Sequence, residues 1–140
     1  MFILDTDHVS LWLRGHLQVK EKVAKSTQNV CLTIITVQEL FNGWVGRLND
    51  TTDAALMIER YESLWQTIEF VRQFPVLKFD IAADDYYVRT LIENAHLRKK
   101  RLRQDLRIAA IALSQNATIV TRNQRDFGQV PGLKIVDWSS

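Results

Sequence analysis

The residues from 104 to 121 constrain the fold more than any other part of the sequence. Residues 104–116 place apolar side chains on almost every side of a predicted helix, and their alanines allow close packing. A helix with so little polar surface is normally buried. Residues 117–121 follow as a short, β-branched run, typical of a strand that is covered on both faces. The stretch therefore predicts a buried helix that leads into an interior parallel strand.

Short apolar runs and amphipathic segments alternate along the rest of the chain. The apolar runs predict further strands at residues 2–4, 30–35, 76–79 and 134–136. The amphipathic segments predict helices at residues 6–14, 17–25, 36–48, 52–74 and 82–97. This alternation implies right-handed βαβ crossovers and a parallel sheet covered on both faces. We therefore expect an α/β fold of three layers, α/β/α, with a central parallel sheet, formed as a single domain over residues 1–140.

The composition is that of an ordinary globular protein, with 46% hydrophobic and 24% charged residues. Cys31 is the one cysteine, so no disulfide can form within the chain, which favours a reducing cytosol and a buried, inert thiol. No apolar run approaches the roughly 18 residues of a membrane span, and Asp5 and Asp7 interrupt any signal-peptide pattern. We therefore expect a cytoplasmic protein without membrane association. A net charge of +2 is too small to indicate nucleic-acid binding by itself.

Polar residues cluster at the ends of the predicted core elements. Asp5 ends the first strand, Asn123 and Asp126 follow the predicted interior strand, and Glu39 and Asp105 begin helices. In parallel α/β sheets, ligands bind beyond the carboxyl ends of the strands, where the strand order reverses. Carboxylates that meet there repel one another unless a cation is present. An all-oxygen pocket suits Mg²⁺ or Mn²⁺ rather than zinc, which prefers histidine or cysteine.

Each acid also has a purely structural explanation. Asp105 at a helix start is favoured by N-capping and by the helix dipole. The Thr36-x-x-Glu39 motif has the form of a capping box, and Asp126 fits a turn. Asp5 is harder to explain in this way, because two polar residues that follow it can cap the first helix. The histidines show no ligand spacing, and we expect surface or capping positions for His8, His16 and His96.

The candidate residues lie in a series of short motifs that run in order along nearly the whole chain. They are Leu4-Asp5-Thr6, Thr36-Val-Gln-Glu39-Leu40, Gln104-Asp105-Leu106-Arg107-Ile108, Thr121-Arg-Asn123-Gln-Arg-Asp126-Phe127, Val130-Pro-Gly-Leu133 and Asp137-Trp138. This series resembles the motifs of PIN-domain nucleases, and more closely those of the VapC-type toxins of bacterial toxin–antitoxin pairs. Residues 97–103 depart from the pattern, because a basic segment stands where relatives often have a glycine-bearing loop.

The resemblance implies a PIN-like domain and an endoribonuclease that depends on Mg²⁺ or Mn²⁺ and cleaves RNA by metal-activated water. Asp5, Glu39 and Asp105 would bind the metal and carry catalysis. We expect Asp126 as the fourth acid, with Asn123 as the alternative at that position. The resemblance also implies a homodimer and a cognate antitoxin protein.

The basic segment is a candidate RNA-binding site. We expect its side chains to steer phosphates toward the acids; they are Arg98, Lys99, Lys100, Arg101 and Arg103. The alternatives are a solvated basic loop or a segment that pairs with an acidic partner.

Two other functions are compatible with parts of the sequence. The apolar strand followed by Asp5-Thr6-Asp7 also fits a phosphohydrolase of the haloacid-dehalogenase type that uses Asp5, although a convincing downstream lysine and acidic pair are missing. The second alternative is a non-catalytic binding module whose acids only cap helices.

Overall fold

Five short parallel strands form the centre of the computed structural model, which describes all 140 residues. The strands are β1 (Phe2–Leu4), β2 (Val30–Thr33), β3 (Val76–Leu77), β4 (Thr118–Val120) and β5 (Lys134–Val136). The helices are α1 (Thr6–Leu13), α2 (Leu17–Lys25), α3 (Ile34–Asn49), α4 (Ala54–Val71), α5 (Ile81–Glu93), α6 (Arg103–Ser114) and α7 (Gln124–Phe127). Short 3-10 turns occur at Thr27–Asn29, Ala95–Leu97 and Lys100–Leu102.

The sheet is covered on both faces because successive residues of a strand point to opposite sides. Ile3 and Ile119 pack with α6 in one core, which also contains the buried Cys31. Their neighbours in sequence, Leu4 and Val120, pack in the opposite core with residues of α1, α2 and α4. The expected three-layer α/β/α arrangement with a central parallel sheet is therefore confirmed.

The strand order places a reversal at the middle of the sheet. The strands lie in the order β3-β2-β1-β4-β5, and all the pairs are parallel. The chain moves from β1 outward to β2 and β3, then returns through α6 to β4 on the other side of β1. The carboxyl ends of β1 and β4 are thus neighbours at the position where α/β proteins bind ligands.

Helix α3 begins two residues earlier than the sequence pattern predicts, and this changes the role of its first acid. Thr33 is the N-cap, and its hydroxyl accepts a hydrogen bond from the Thr36 N–H at 3.2 Å. The structural alternative for Glu39, a capping box with Thr36, is therefore wrong. Because Thr33 satisfies the helix start, the Glu39 carboxylate is free to make a tertiary contact.

His8 is fully buried, so its expected position at the surface or in a cap is also wrong. Its Nδ1 lies 2.8 Å from Asp7 Oδ1, and its Nε2 lies 3.1 Å from the Trp138 backbone N–H. The Trp138 ring in turn packs against Phe2, with ring centroids 5.0 Å apart. His8 thus links the start of α1 to the residues after β5.

None of the helices combines the length and the hydropathy that a membrane crossing requires.

Candidate active site

Thr121, immediately after β4, joins the two strand ends at the reversal of the sheet. Its hydroxyl lies 2.9 Å from Asp5 Oδ2 and 3.3 Å from Asp7 Oδ2, and it accepts a hydrogen bond from the Asn123 N–H at 2.9 Å. Asp7 Oδ2 also accepts from the Arg122 N–H at 3.1 Å. The loop after β4 is therefore anchored to the residues that follow β1.

Asp5 is a buried carboxylate, with only 6% of its surface exposed. It is the N-cap residue of α1, yet its side chain makes no capping hydrogen bond. Burial, and then the nearby negative charge of Asp7, raise the pKa of Asp5 from its usual 3.8 to about 7. Capping therefore does not explain this acid. A buried carboxyl with a strongly raised pKa is typical of a functional site.

Glu39 lies across the edge of the sheet, one turn into α3. Its Oε1 accepts a hydrogen bond from the Thr6 hydroxyl at 2.9 Å, and the same hydroxyl lies 3.2 Å from Thr36 Oγ1. Burial raises the pKa of Glu39. The hydrogen bond from Thr6 thus places the Glu39 carboxylate beside the residue that follows Asp5.

The Asn123 amide lies between two further acids. Its Nδ2 is 3.1 Å from Asp105 Oδ2 and 3.2 Å from Asp126 Oδ2. Asp105 is in the first turn of α6, whose N-cap residue Leu102 makes no side-chain capping bond, and Asp126 is in α7. The two residues that the sequence left as alternatives, Asn123 and Asp126, therefore both contact this corner of the site.

The acids of this edge influence one another electrostatically. Burial raises the pKa of Asp105 to about 6, and the charges of Glu39, Asp126 and Asp7 add to the effect. At Asp126, partial burial favours the neutral form, but hydrogen bonds from Arg101 and Asn123 outweigh it and lower the pKa. One side of the site thus favours protonation, while the side beside Arg101 favours the carboxylate.

The four acids predicted from the sequence therefore lie around one edge, whereas three polar neighbours were missed as site residues: Thr6, Asp7 and Thr121. Asp7 could have been recognised from its position two residues after Asp5. The two threonines lie within the sequence motifs, but threonine is common at strand ends and so did not by itself indicate a site.

The donor set of this edge fits a hard divalent cation. Its oxygens come from carboxylates, hydroxyls and an amide, the ligands that Mg²⁺ and Mn²⁺ prefer, and no cysteine or histidine is among them. As the side chains stand, no group of three or more acids, histidines or cysteines has the spacing to hold a metal ion. The carboxylates instead accept hydrogen bonds from Thr6, Thr121 and Asn123. Shared coordination of one ion therefore requires side-chain rotation within the site.

These contacts give little support to the two alternative functions, a non-catalytic binding module and a phosphohydrolase of the haloacid-dehalogenase type. The side chains of Asp5, Glu39 and Asp105 do not cap helices, as a non-catalytic module would require. The phosphohydrolase hypothesis requires a lysine beside the first acids, but no lysine forms a hydrogen bond or an ion pair with Asp5 or Asp7.

The basic segment lies beside the acids, on the path from α5 to α6. Arg101 Nη1 is 3.1 Å from Asp126 Oδ1, which connects the segment directly to the site. Arg98 donates from Nε to the Leu91 carbonyl at 2.8 Å. The side chains of the remaining members form no hydrogen bond or ion pair within the protein; they are Lys99, Lys100 and Arg103, and all are exposed. Three of the five cations are thus free for another molecule.

No protein-family model matches the sequence. Among curated proteins, the chain is 28% identical over 138 residues to the tRNA(fMet)-specific endonuclease VapC of Salmonella typhimurium, a match that covers 98% of this chain and 97% of the relative. It is 29% identical over 139 residues to the protein of the same name from Shigella flexneri, which covers 99% and 98% of the two chains.

Solved structures agree with these relatives. The DNA-bound VapBC complex from Salmonella typhimurium contains a chain that is 28% identical, with a TM-score of 0.81 and coverage of 98% of this chain and 97% of that chain. VapBC-1 from nontypeable Haemophilus influenzae shares the fold, with a TM-score of 0.75, 23% identity and coverage of 99% and 98%.

The raised pKa of Asp5 predicts a pH-dependent gain in stability for Asp5→Asn. In the unfolded chain Asp5 ionises near pH 3.8, but in the fold it ionises near pH 7, so ionisation costs stability progressively between these values. In chelator at pH 8, Asp5→Asn should therefore raise the free energy of unfolding, by up to about 4 kcal/mol at roughly 1.36 kcal/mol per pKa unit. Below pH 4 the gain should vanish, because the wild-type carboxyl is protonated in both states.

Urea unfolding across this pH range measures the effect. Asp85→Asn, an exposed acid on α5, is the matched control and should change little. A gain that does not vary with pH, or a loss of stability at pH 8, would contradict the burial argument.

Proposed function

We propose that the chain is a VapC-type PIN-domain protein and an endoribonuclease that acts as the toxin of a toxin–antitoxin pair. The observation that carries this proposal is the gathering of Asp5, Glu39, Asp105 and Asp126 at the reversal point of the parallel sheet. The curated relatives are named as endonucleases specific for tRNA(fMet), so tRNA is the first substrate to test. Action on cellular RNA also agrees with the cytoplasmic location expected from the free cysteine.

Asp5, Glu39, Asp105 and Asp126 are the residues that would hold Mg²⁺ or Mn²⁺. The ion would supply a water of lowered pKa and would neutralise charge at the phosphodiester. The support for this assignment is the all-oxygen donor set, together with the raised pKa values of Asp5 and Asp105. A bound cation offsets the cost of ionising these buried carboxyls.

The other polar residues of the edge position these acids. The hydroxyls of Thr121 and Thr6 hold Asp5 and Glu39 by hydrogen bonds. The Asn123 amide lies between Asp105 and Asp126 and offsets part of their repulsion. We therefore keep Asp126 as the fourth acid and assign Asn123 to orienting it.

Asp105→Asn is expected to keep the fold and to lower RNA cleavage by at least about 100-fold, the usual scale for the loss of one key electrostatic group. It should also lose the stabilisation by metal. For the wild type, Mn²⁺ at 100 times its dissociation constant adds about 2.7 kcal/mol. The measurements are cleavage of purified tRNA and melting curves in chelator and in excess Mn²⁺.

Asp85→Asn again serves as the control, because it removes an exposed carboxylate from α5. Near-normal cleavage by Asp105→Asn, or an equal response of both variants to Mn²⁺, would exclude Asp105 from the site.

The three free cations of the basic segment are proposed to contact the RNA backbone. Lys99, Lys100 and Arg103 have no acidic partner in the chain, and their neighbour Arg101 pairs with Asp126 at the site. Phosphates that approach the acids therefore pass beside an unneutralised positive segment. We assign a smaller role to Arg98 and Arg101, because each already has a partner within the protein.

Replacement of Lys99, Lys100 and Arg103 by alanine should flatten the salt dependence of RNA binding. Each phosphate contact contributes about 0.7 to the log–log slope for single strands, so the slope should fall by about 2. Binding is measured by fluorescence anisotropy in chelator over a range of salt concentrations. The matched control replaces Lys22, Lys25 and Lys134 by alanine. Lys22 and Lys25 lie at the end of α2, which leads into the start of β2, and Lys134 is the first residue of β5. All three therefore lie toward the amino ends of the strands, at the edge of the sheet opposite the acids. Equal slopes for the two triple variants would assign the segment to another role.

Exposed apolar side chains on α4 and α5 support assembly with partners. On α4 they are Leu56, Met57, Ile58, Tyr61 and Trp65, and on α5 they are Ile81, Val88 and Ile92. A protein exposes adjacent large apolar residues of this kind mainly where another chain covers them. We assign them to a second copy of the chain and to the antitoxin, in keeping with the VapBC complexes among the similar structures.

Light scattering on the purified protein without antitoxin should give the mass of a dimer. The reason is that burying the apolar faces of α4 and α5 against a second copy lowers the free energy relative to leaving them exposed to water. A monomer of 16.3 kDa at high micromolar concentration would exclude the homodimer.

A further inference from the structure

A cleft between α1, α3 and α4 borders the acidic edge. Its volume is about 320 Å³, and its walls include Thr6 and Glu39. These are the two residues whose hydrogen bond borders the site. The cleft is at the lower end of the range for small-molecule pockets, so it has room for one nucleotide-sized group. Anything bound in it would be adjacent to the phosphodiester held by the acids.

Only three of the twelve residues that line the cleft are hydrophobic, although more of the lining surface is apolar than polar. Ser10, Ser63 and Gln66 contribute hydroxyl and amide groups that can both donate and accept hydrogen bonds. Thr67, fully buried at the wall, accepts from Trp44 Nε1 at 3.0 Å and fixes the indole ring. A lining of this kind offers apolar contact to the face of a nucleobase and hydrogen-bonding groups to its edge.

Two arginines in the lining have no acidic partner. Neither Arg14 nor Arg47 takes part in an ion pair of the chain. The Arg47 guanidinium lies over the Trp44 ring at 4.7 Å from its centroid. A guanidinium plane held in this way is a surface on which an unstacked base can stack, and both cations attract phosphate. Unpaired positive charge in the cleft favours an occupant that carries negative charge.

Gly43 keeps the wall of the cleft open. A Cβ atom at this position of α3 would have no heavy atom within 4 Å. A side chain there would therefore extend into the cleft without striking the backbone. Gly46, three residues further along the same helix, is equally open but does not line the cleft.

We propose that this cleft binds the base and sugar of one nucleotide next to the phosphodiester that is cut, with Arg14 and Arg47 contacting its phosphate. The inference rests on the proposed ribonuclease function and identifies where that function reads its substrate. A segment of the antitoxin is the other conceivable occupant. The hydrogen-bonding lining and the two free arginines favour the nucleotide.

The test combines a variant that fills the cleft with an RNA probe that lacks the bases. The probes are a fluorescent single-stranded RNA octamer of random sequence and a matching octamer of abasic ribose phosphates, both in chelator. Gly43→Leu should weaken binding of the RNA octamer about 10-fold or more, the scale of one lost base-stacking contact, and should leave the abasic octamer nearly unchanged. Gly46→Leu should change neither affinity. If Gly43→Leu fails to fold, the double variant Arg14→Gln, Arg47→Gln takes its place and should weaken both octamers, whereas Arg72→Gln, just after α4, should not.

The outcomes separate the inference from the function on which it rests. Wild-type affinity of Gly43→Leu for both octamers, or equal weakening of both, would overturn the nucleotide site. Wild-type affinity for RNA combined with weakened binding of the antitoxin would assign the cleft to the antitoxin instead. Failure of the proposed function would appear in a different assay, as wild-type protein that cleaves no RNA.

Discussion

The hydrogen bond between Thr121 and Asp5 is the contact on which the site depends. It joins residues 116 positions apart in the chain, and it forms because β1 and β4 pair in parallel at the reversal of the sheet. The pairing of Ile3 with Ile119 sets its register. A shift of that register by one residue would turn the core side chains to the wrong faces and separate Thr121 from Asp5. The packing of the two cores and the geometry of the acids therefore depend on the same strand register.

The site concentrates negative charge that the fold only partly neutralises. Asp5 and Asp105 have raised pKa values because burial removes water that would stabilise their charged forms. Asp126 is held in its charged form by Arg101 and Asn123. Burial is the largest cause of both upward shifts, and repulsion between neighbouring acids comes second. The chain thus holds buried carboxyls at a cost in stability, and carboxyls with strongly raised pKa values are typical of functional sites.

Cations lie on two sides of this acidic edge. On one side, Arg101 of the basic segment pairs with Asp126. On the other side, Arg14 and Arg47 line the cleft that also includes Glu39. An RNA strand crossing the site would therefore meet positive charge before and after the acids. Local positive charge of this kind would allow a chain with a net charge of only +2 to bind a polyanion.

Much of this structure follows from local patterns of residues. The alternation of apolar runs and amphipathic segments was sufficient to predict the parallel α/β sheet. The helix α6 and the strand β4 were predicted because an element buried on all sides consists almost entirely of apolar residues. Asp5, Glu39, Asp105 and Asp126 were recognisable as candidates from their positions at element ends. The resemblance to VapC-type toxins added the chemistry that connects them.

The tertiary structure decided the partners of those residues. Glu39 had two local explanations, and only the packing of α3 beside α1 showed that it bonds to Thr6 rather than to its own helix start. His8 is buried because residues after β5 lie against α1, and nothing near His8 in the sequence indicates this contact. The cleft at Gly43 likewise exists only because three helices from distant parts of the chain meet there. Sequence periodicity reports which face of an element is buried, whereas hydrogen-bond partners and cavities depend on strand order and on the angles at which helices pack.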